Sequence, residues 1–122
     1  MAYSYRKHKS NPPVTPGELT QVFETYPKVL VQLPVFNERY VIDRLIDRVC
    51  NLHYPHERLL IQVLDDSTDD SAEIARKSVE RWSTQGYPIE YRHRSNRVGF
   101  KAGALEEGLK AHADFEFIAV FD

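Results

Sequence analysis

Two stretches of this sequence gather residue types able to hold a phosphorylated ligand. The acids Asp65-Asp66 close the apolar run Leu59-Leu60-Ile61-Gln62-Val63-Leu64. Adjacent carboxylates repel each other, and they persist when one caps backbone amides and the other faces a ligand or water. Asp65 is therefore read as the structural partner and Asp66 as the ligand-facing one. A plain turn with a helix N-cap is the competing reading. The second stretch is Asn96-Arg97-Val98-Gly99-Phe100-Lys101-Ala102-Gly103-Ala104-Leu105. Gly99 permits an unusual backbone angle where a helix would begin, and Gly103 is expected to let that helix pack closely on a sheet. A helix N-terminus offers amides and a positive dipole to an anion, and Arg97 and Lys101 add two cations. That makes a diphosphate cradle. A glycine-softened amphipathic helix with solvated charges is the alternative. No G-x-x-x-x-G-K loop occurs, and no G-x-G-x-x-G follows the first strand.

Other groups carry less. His53 and His56 lie in a proline-broken turn, and no second pair completes a metal set. Ser67 lacks the G-x-S-x-G elbow of a hydrolase nucleophile. His93 and His112 show no partner in sequence. Glu106-Glu107 read as a solvated helix face.

Elements must position these groups. Val29-Leu30-Val31-Gln32-Leu33-Pro34-Val35 is nearly continuous in apolar, β-branched residues and reads as a buried strand. Pro34 is expected to mark its end, since proline gives up a ladder hydrogen bond. A helix follows over about 38–52, with Val41, Leu45, Val49 and Leu52 inward. The second strand is 59–64. A helix over about 70–83 turns Ala72, Ala75, Val79 and Trp82 inward, with Ser67, Thr68 or Asp69 as N-cap. Ile89–His93 alternates as a third strand. A third helix spans about 99–111, with Ala102, Leu105 and Leu109 inward. Phe117–Phe121 is the fourth strand, followed by Asp122. Strands alternating with helices imply parallel pairing through right-handed crossovers. Ligands then bind outside the carboxyl ends of the strands, where Asn37-Glu38, Asp65-Asp66 and Asp122 converge.

The composition agrees with one α/β domain. The chain has 122 residues, 42% of them hydrophobic and 28% charged. Sixteen basic residues against eighteen acidic ones give a net charge of −2, which argues against a nucleic-acid binder. Cys50 is the single cysteine, so no internal disulfide forms. No apolar run reaches the roughly 18 residues of a membrane span. Residues 1–27 read as a basic, proline-rich leader with Arg6, Lys7 and Lys9, and a short helical turn around 18–24. Residues 28–122 read as the domain.

Taken together, four motifs resemble glycosyltransferase family 2. They are Gln32-Leu33-Pro34-Val35-Phe36-Asn37-Glu38, Gln62-Val63-Leu64-Asp65-Asp66-Ser67-Thr68-Asp69, Arg97-Val98-Gly99-Phe100-Lys101-Ala102-Gly103-Ala104-Leu105 and Ile118-Ala119-Val120-Phe121-Asp122. Their order and spacing are similar to the cellulose-synthase-like branch, which includes bacterial β-glycan synthases and plant mannan synthases. The resemblance implies an α/β GT-A (Rossmann-like) parallel sheet with flanking helices, of which this is the N-terminal part. It implies inverting transfer of a hexose from a nucleotide-sugar donor to a β-glycan acceptor, with a divalent cation, Mg2+ or Mn2+. Residue by residue, Pro34, Phe36, Asn37 and Glu38 match the first nucleotide-binding loop. Asp66 matches the aspartate that reads the base. Arg97, Lys101 and Gly103 fall in the segment near the diphosphate. Asp122 matches the first aspartate of the D-x-D motif, a metal contact. Phe36 stands where many members carry tyrosine, which keeps the stacking and loses the hydroxyl.

The resemblance places the second D-x-D aspartate, the base aspartate, the acceptor motif and the membrane helices outside these residues. It implies an incomplete chain, inactive alone, whose whole protein lies on the cytoplasmic face of a membrane. The basic leader would then sit beside that membrane. The rivals are a nucleotide-binding fragment without catalysis, a receiver-type signalling domain, and a fragment without ligand whose open sheet edge aggregates. The receiver would need its acids after strands one and three, where this chain has Asn37-Glu38 and His93.

Overall fold

The computed structural model describes the backbone of residues 3–7, and residues 26–112 and 114–121 in full. Five strands form one sheet: β1 (Tyr3–Lys7), β2 (Val29–Val35), β3 (Leu59–Asp65), β4 (Ile89–His93) and β5 (Phe117–Phe121). Three helices connect them: α1 (Ile42–Cys50), α2 (Ser71–Thr84) and α3 (Phe100–Ala111). A 3-10 turn, His56–Arg58, leads into β3. The strand order is β1-β5-β2-β3-β4. Strands β2 to β5 are parallel, as the alternating pattern requires, and β1 runs antiparallel to β5.

The order places β2 in the interior. The chain runs from β2 through β3 to β4 on one side, then returns to lay β5 on the other side of β2. A sheet that changes direction in this way opens a crevice at the carboxyl ends of the strands flanking the switch.

Alternation along the strands gives two different sheet faces. Val29, Val31, Leu33 and Val35 join Leu59, Ile61, Val63, Phe117, Ala119 and Phe121 in one apolar core under α1 and α2. α1 buries Ile42, Ile46, Val49 and Cys50 there. Val49 is inward as expected, while Ile42 and Ile46 take the places expected of Val41 and Leu45. Val41 is exposed and Leu45 and Leu52 are half-buried. α2 buries Ser71, Ala75, Ser78 and Val79, with Ala72 and Trp82 only half-buried. α3 lies on the opposite face and buries Ala104 and Gly108 instead of Ala102, Leu105 and Leu109. Small residues win there because the helix approaches closely. A Cβ on Gly108 would stand 2.2 Å from Gln62 Oε1.

Pro34 does not end β2. Val35 O accepts from Asp66 N at 3.1 Å on the β3 side, so Pro34, one residue back, points its missing donor toward β5. Described pairing with β5 stops at Gln32 opposite Val120. The proline therefore interrupts no described ladder bond. Tyr3–Lys7, read as leader from sequence, pair with Phe121–Phe117. β5 therefore has a partner strand on the side away from β2. The helical turn expected around 18–24 lies outside the described residues, as does Asp122.

Cys50 is 3% exposed, and burial with nearby Asp47 pushes its thiol from 9.0 up to about 12. Burial likewise raises Tyr54 from 10.0 to about 12, with Glu116 adding. Burial and the bond to Asp65 raise Tyr91. A raised acid keeps its proton in the folded chain after the unfolded chain has released it, so stability falls as pH rises through that window. Urea midpoints should hold steady up to about pH 9 and decline toward pH 12, the thiol's unfolded and folded values. Cys50→Ala should remove the earliest part of that decline. An unchanged curve for the variant would show that another group titrates there.

Candidate functional site

The crevice is built by three loops. Residues after β2 and after β3 lie side by side because Val35 pairs with Asp65. Asn37 adopts a left-handed φ of 50° and joins the two loops. Its N–H donates to Ser67 Oγ at 2.8 Å, and its Oδ1 accepts from Thr68 N at 2.9 Å. Asparagine tolerates this backbone region better than most residues. Asn37 is therefore a brace for the crevice wall.

Asp65 takes the structural role expected of it, whereas Asp66, expected to face a ligand, does not stand open. Asp65 is 1% exposed. Its Oδ1 accepts from Ser67 N at 2.8 Å and its Oδ2 from Tyr91 OH at 2.7 Å. Both oxygens are consumed by the fold. Asp66 closes against Arg94 in a two-pronged pair, Nε to Oδ1 at 2.9 Å and Nη2 to Oδ2 at 2.7 Å. The side chains are only 6% and 11% exposed. Asp66 is thus not an open carboxylate but one side of a buried pair.

Arg94 is the residue that sequence reasoning missed. Beyond Asp66, it donates to Val98 O, Phe100 O and Glu107 Oε2, each at 2.9 Å. Five bonds from one guanidinium tie β3, the loop 95–99 and α3 together. The hydrogen bond to Asp66 is the main cause holding its proton affinity above the usual arginine value. Register carried the signal: Asp65 pairs with His93, so the residue after each strand, Asp66 and Arg94, must meet.

The loop before α3 follows from its glycines. Gly99 has φ 73°, while Arg97 and Phe100 take φ 51° and 52° without being glycine. Three left-handed residues in four make a tight coil, and Gly103 receives it. A Cβ on Gly103 would fall 1.9 Å from Val98 O. Gly103 thus makes room for the loop, and Gly108 is the glycine packed on the sheet. Sequence alone assigns that packing role to Gly103, and the structure moves it to Gly108.

Between these loops lies a cleft of about 190 Å³ lined by Pro34, Phe36, Glu38, Asp66, Arg97 and Lys101. Six of the nine residues expected at the site therefore share one wall. Asn37 and Gly103 shape the walls from behind, and Asp122 lies outside the described residues. The Arg97 guanidinium sits 3.7 Å from the centre of the Phe36 ring. One face of the ring expected to stack on a base is thus occupied by a cation. Arg97 Nε is buried with no described acceptor. A wider polar cleft of about 550 Å³ adjoins through Leu64, Asp66 and Ala104.

Among the described residues, no group of three or more His, Cys, Asp or Glu could hold a metal ion. Both Asp66 oxygens already face Arg94. The described residues alone do not fit a divalent cation.

The model of the family described as Glycosyl transferase family 2 matches residues 31–122. Probable glucomannan 4-beta-mannosyltransferase 9 of Oryza sativa subsp. japonica is 41% identical, over 96% of this chain and 24% of its own length. Glucomannan 4-beta-mannosyltransferase 2 of Arabidopsis thaliana is 48% identical, over 80% and 19%. The chain spans about a quarter or less of these curated relatives. Mannosyltransferase PcManGT from Pyrobaculum calidifontis, solved in complex with GDP-Man and Mn2+, superposes with a TM-score of 0.57. It is 30% identical and covers 70% of this chain and 24% of its own.

Proposed function

Because this chain belongs to glycosyl transferase family 2, we propose that it holds the nucleotide-sugar donor of an inverting hexosyl transfer to a β-glycan. Its parallel strands with flanking helices are the GT-A arrangement that the sequence resemblance implied. The donor in this reading is GDP-mannose, supported by the mannosyltransferase relatives and by the neighbour solved with GDP-Man. The base lies toward Pro34, Phe36 and Asp66, with Asn37 and Glu38 framing it. The diphosphate lies toward Arg97 and Lys101.

One observation carries the reading. Arg97 lines the cleft, its Nε is buried with no described acceptor, and a buried donor without a partner is costly. A phosphate oxygen supplies that acceptor and matches the charge. In the transfer, an acceptor hydroxyl oxygen bonds the anomeric carbon as its bond to the diphosphate breaks. The hydroxyl proton passes to a base. Arg97 and Lys101 stabilise the negative charge that grows on the departing diphosphate. Asp122 is the proposed contact for a divalent cation, Mg2+ or Mn2+, which would supply further charge neutralisation. The roles of Arg97 and Lys101 do not depend on it.

The membrane-side placement of the whole protein belongs to the same proposal and rests on the resemblance. Among the described residues, no helix is long and apolar enough to cross a membrane.

Titration calorimetry with GDP and with UDP tests the donor site. GDP is expected to bind the more tightly, and Arg97→Ala to weaken it by about ten-fold or more, the loss of a charge-assisted hydrogen bond. Equal binding by the variant would remove Arg97 from the site, and absence of binding at millimolar nucleotide would overturn the reading.

A further inference from the structure

The sheet is apolar toward α1 and α2, but toward α3 it carries a row of polar side chains. Gln32 on β2 stands opposite Gln62 on β3, and Gln62 stands opposite Glu90 on β4. The two glutamines are 1% and 0% exposed. Buried amides persist where they are hydrogen-bonded, and both of these are. Gln32 Nε2 donates to Gln62 Oε1 and to Leu105 O, each at 3.0 Å. Gln62 Nε2 donates to Glu90 Oε2 at 2.8 Å and to Gly108 O at 3.1 Å. The other Glu90 oxygen lies 2.9 Å from His112 Nε2, just past the end of α3.

The row therefore runs across three strands and also reaches α3 at Leu105, Gly108 and His112. Its contacts to the helix are specific. The His112 N–H bonds Leu109 O instead of the Gly108 carbonyl that a continuing α-helix would use. Gln62 takes that carbonyl. Gly108 has no side chain to keep Gln62 away. Among the described residues, α3 contributes nothing to the apolar core that fixes α1 and α2.

Apolar burial is non-directional and does not select one axial position of a helix. Hydrogen bonds to two carbonyls about one turn apart do. We propose that Gln32, Gln62, Glu90 and His112 form a latch that sets where α3 lies along the sheet, and so where Arg97 and Lys101 stand relative to Asp66. They are positioning residues, acting through α3 on the donor site. This inference rests on the donor-site reading above.

The double variant Gln32→Leu/Gln62→Leu tests it. Replacing both glutamines removes the amide pair without stranding either amide, and takes the side-chain donors away from Leu105 O, Gly108 O and Glu90, so the loss falls on the attachment of α3. Two measurements are made on the chain, backbone hydrogen exchange and GDP affinity. The latch predicts exchange in α3 about ten-fold faster through local opening, with α1 and α2 unchanged. It also predicts GDP binding weakened about ten-fold through the displaced helix. Gln32→Leu alone keeps the Gln62 bonds to Gly108 and Glu90, and should retain most of the protection. Should the double variant fail to fold, Gln62→Met is measured in its place with the same expectations. Wild-type exchange in α3, or exchange raised equally in all three helices, overturns the latch. If GDP fails to bind the wild-type chain, the donor reading falls, and the exchange pattern still decides the latch.

Discussion

Arg94→Ala is expected to lower the stability of the chain by about 3 kcal/mol, the lower end for breaking a buried ion pair. The lower end applies because the guanidinium borders an open cleft. The cost arises on both sides of the pair. Asp66, 6% exposed at its side chain, would keep a charge with no cation against it. Val98 O, Phe100 O and Glu107 would each lose a donor. Arg94→Lys keeps the charge but not the fork, since an ammonium cannot span both Asp66 oxygens. It should fall between wild type and alanine. A double-mutant cycle with Asp66→Ala isolates the pair, and a coupling of at least about 1 kcal/mol is expected. Additive losses would show that Arg94 acts through the loop carbonyls alone. GDP affinity should fall with stability for each variant of Asp66 or Arg94, because the same pair fixes the cleft wall.

Gly103→Ala is expected to cost about as much, roughly 3 kcal/mol for an overpacked contact. A midpoint drop on the order of 10 °C would follow for a chain of this size. The new Cβ would fall 1.9 Å from Val98 O and 3.2 Å from Arg94 Nη1. The first contact is with backbone, so no side-chain rotation relieves it. The loop must move, and Val98 O must then leave Arg94. Gly86→Ala is the matched comparison: its φ is 92°, but nothing lies within 4 Å of the added carbon. It should cost only the left-handed strain, about 1–2 kcal/mol. Thermal melts of the two variants separate close contact from backbone strain. Equal losses would mean that the approach of Val98 to Gly103 is not tight.

The strands were legible because each is a run of β-branched or aromatic residues bounded by polar ones. The parallel pairing of β2 to β5 followed from the alternation with helices. Inward faces were harder to read. Leu105 and Leu109 look like the buried side of α3 by hydropathy. The helix instead turns Ala104 and Gly108 to the sheet, since its bonds to Gln32 and Gln62 require a close approach. Six of the nine expected site residues meet at one cleft because glycine, aspartate and cation motifs report local backbone needs. Arg94 escaped because its importance lies in its cross-strand neighbour, visible only once β3 and β4 are set in register. Strand β1 escaped for a related reason. Tyr-Ser-Tyr-Arg-Lys alternates weakly, and nothing in it announces a partner more than a hundred residues away.

That partner has a kinetic consequence. β5 lies between β2 and β1, so residues 3–7 can only pair there after residues 117–121 have been made. During synthesis, β2, β3 and β4 can assemble with α1 and α2 while β1 has no ladder to join. β5 must then enter a slot bordered by β2 and complete it for β1. The Tyr3–Phe121 pairing closes the longest loop in the described sheet, and such closure is slow relative to local contacts. The β1–β5 pairing therefore follows that of β5 with β2, and the time that β2 spends with its β5 side unpaired is fixed by the rate at which residues 117–121 arrive.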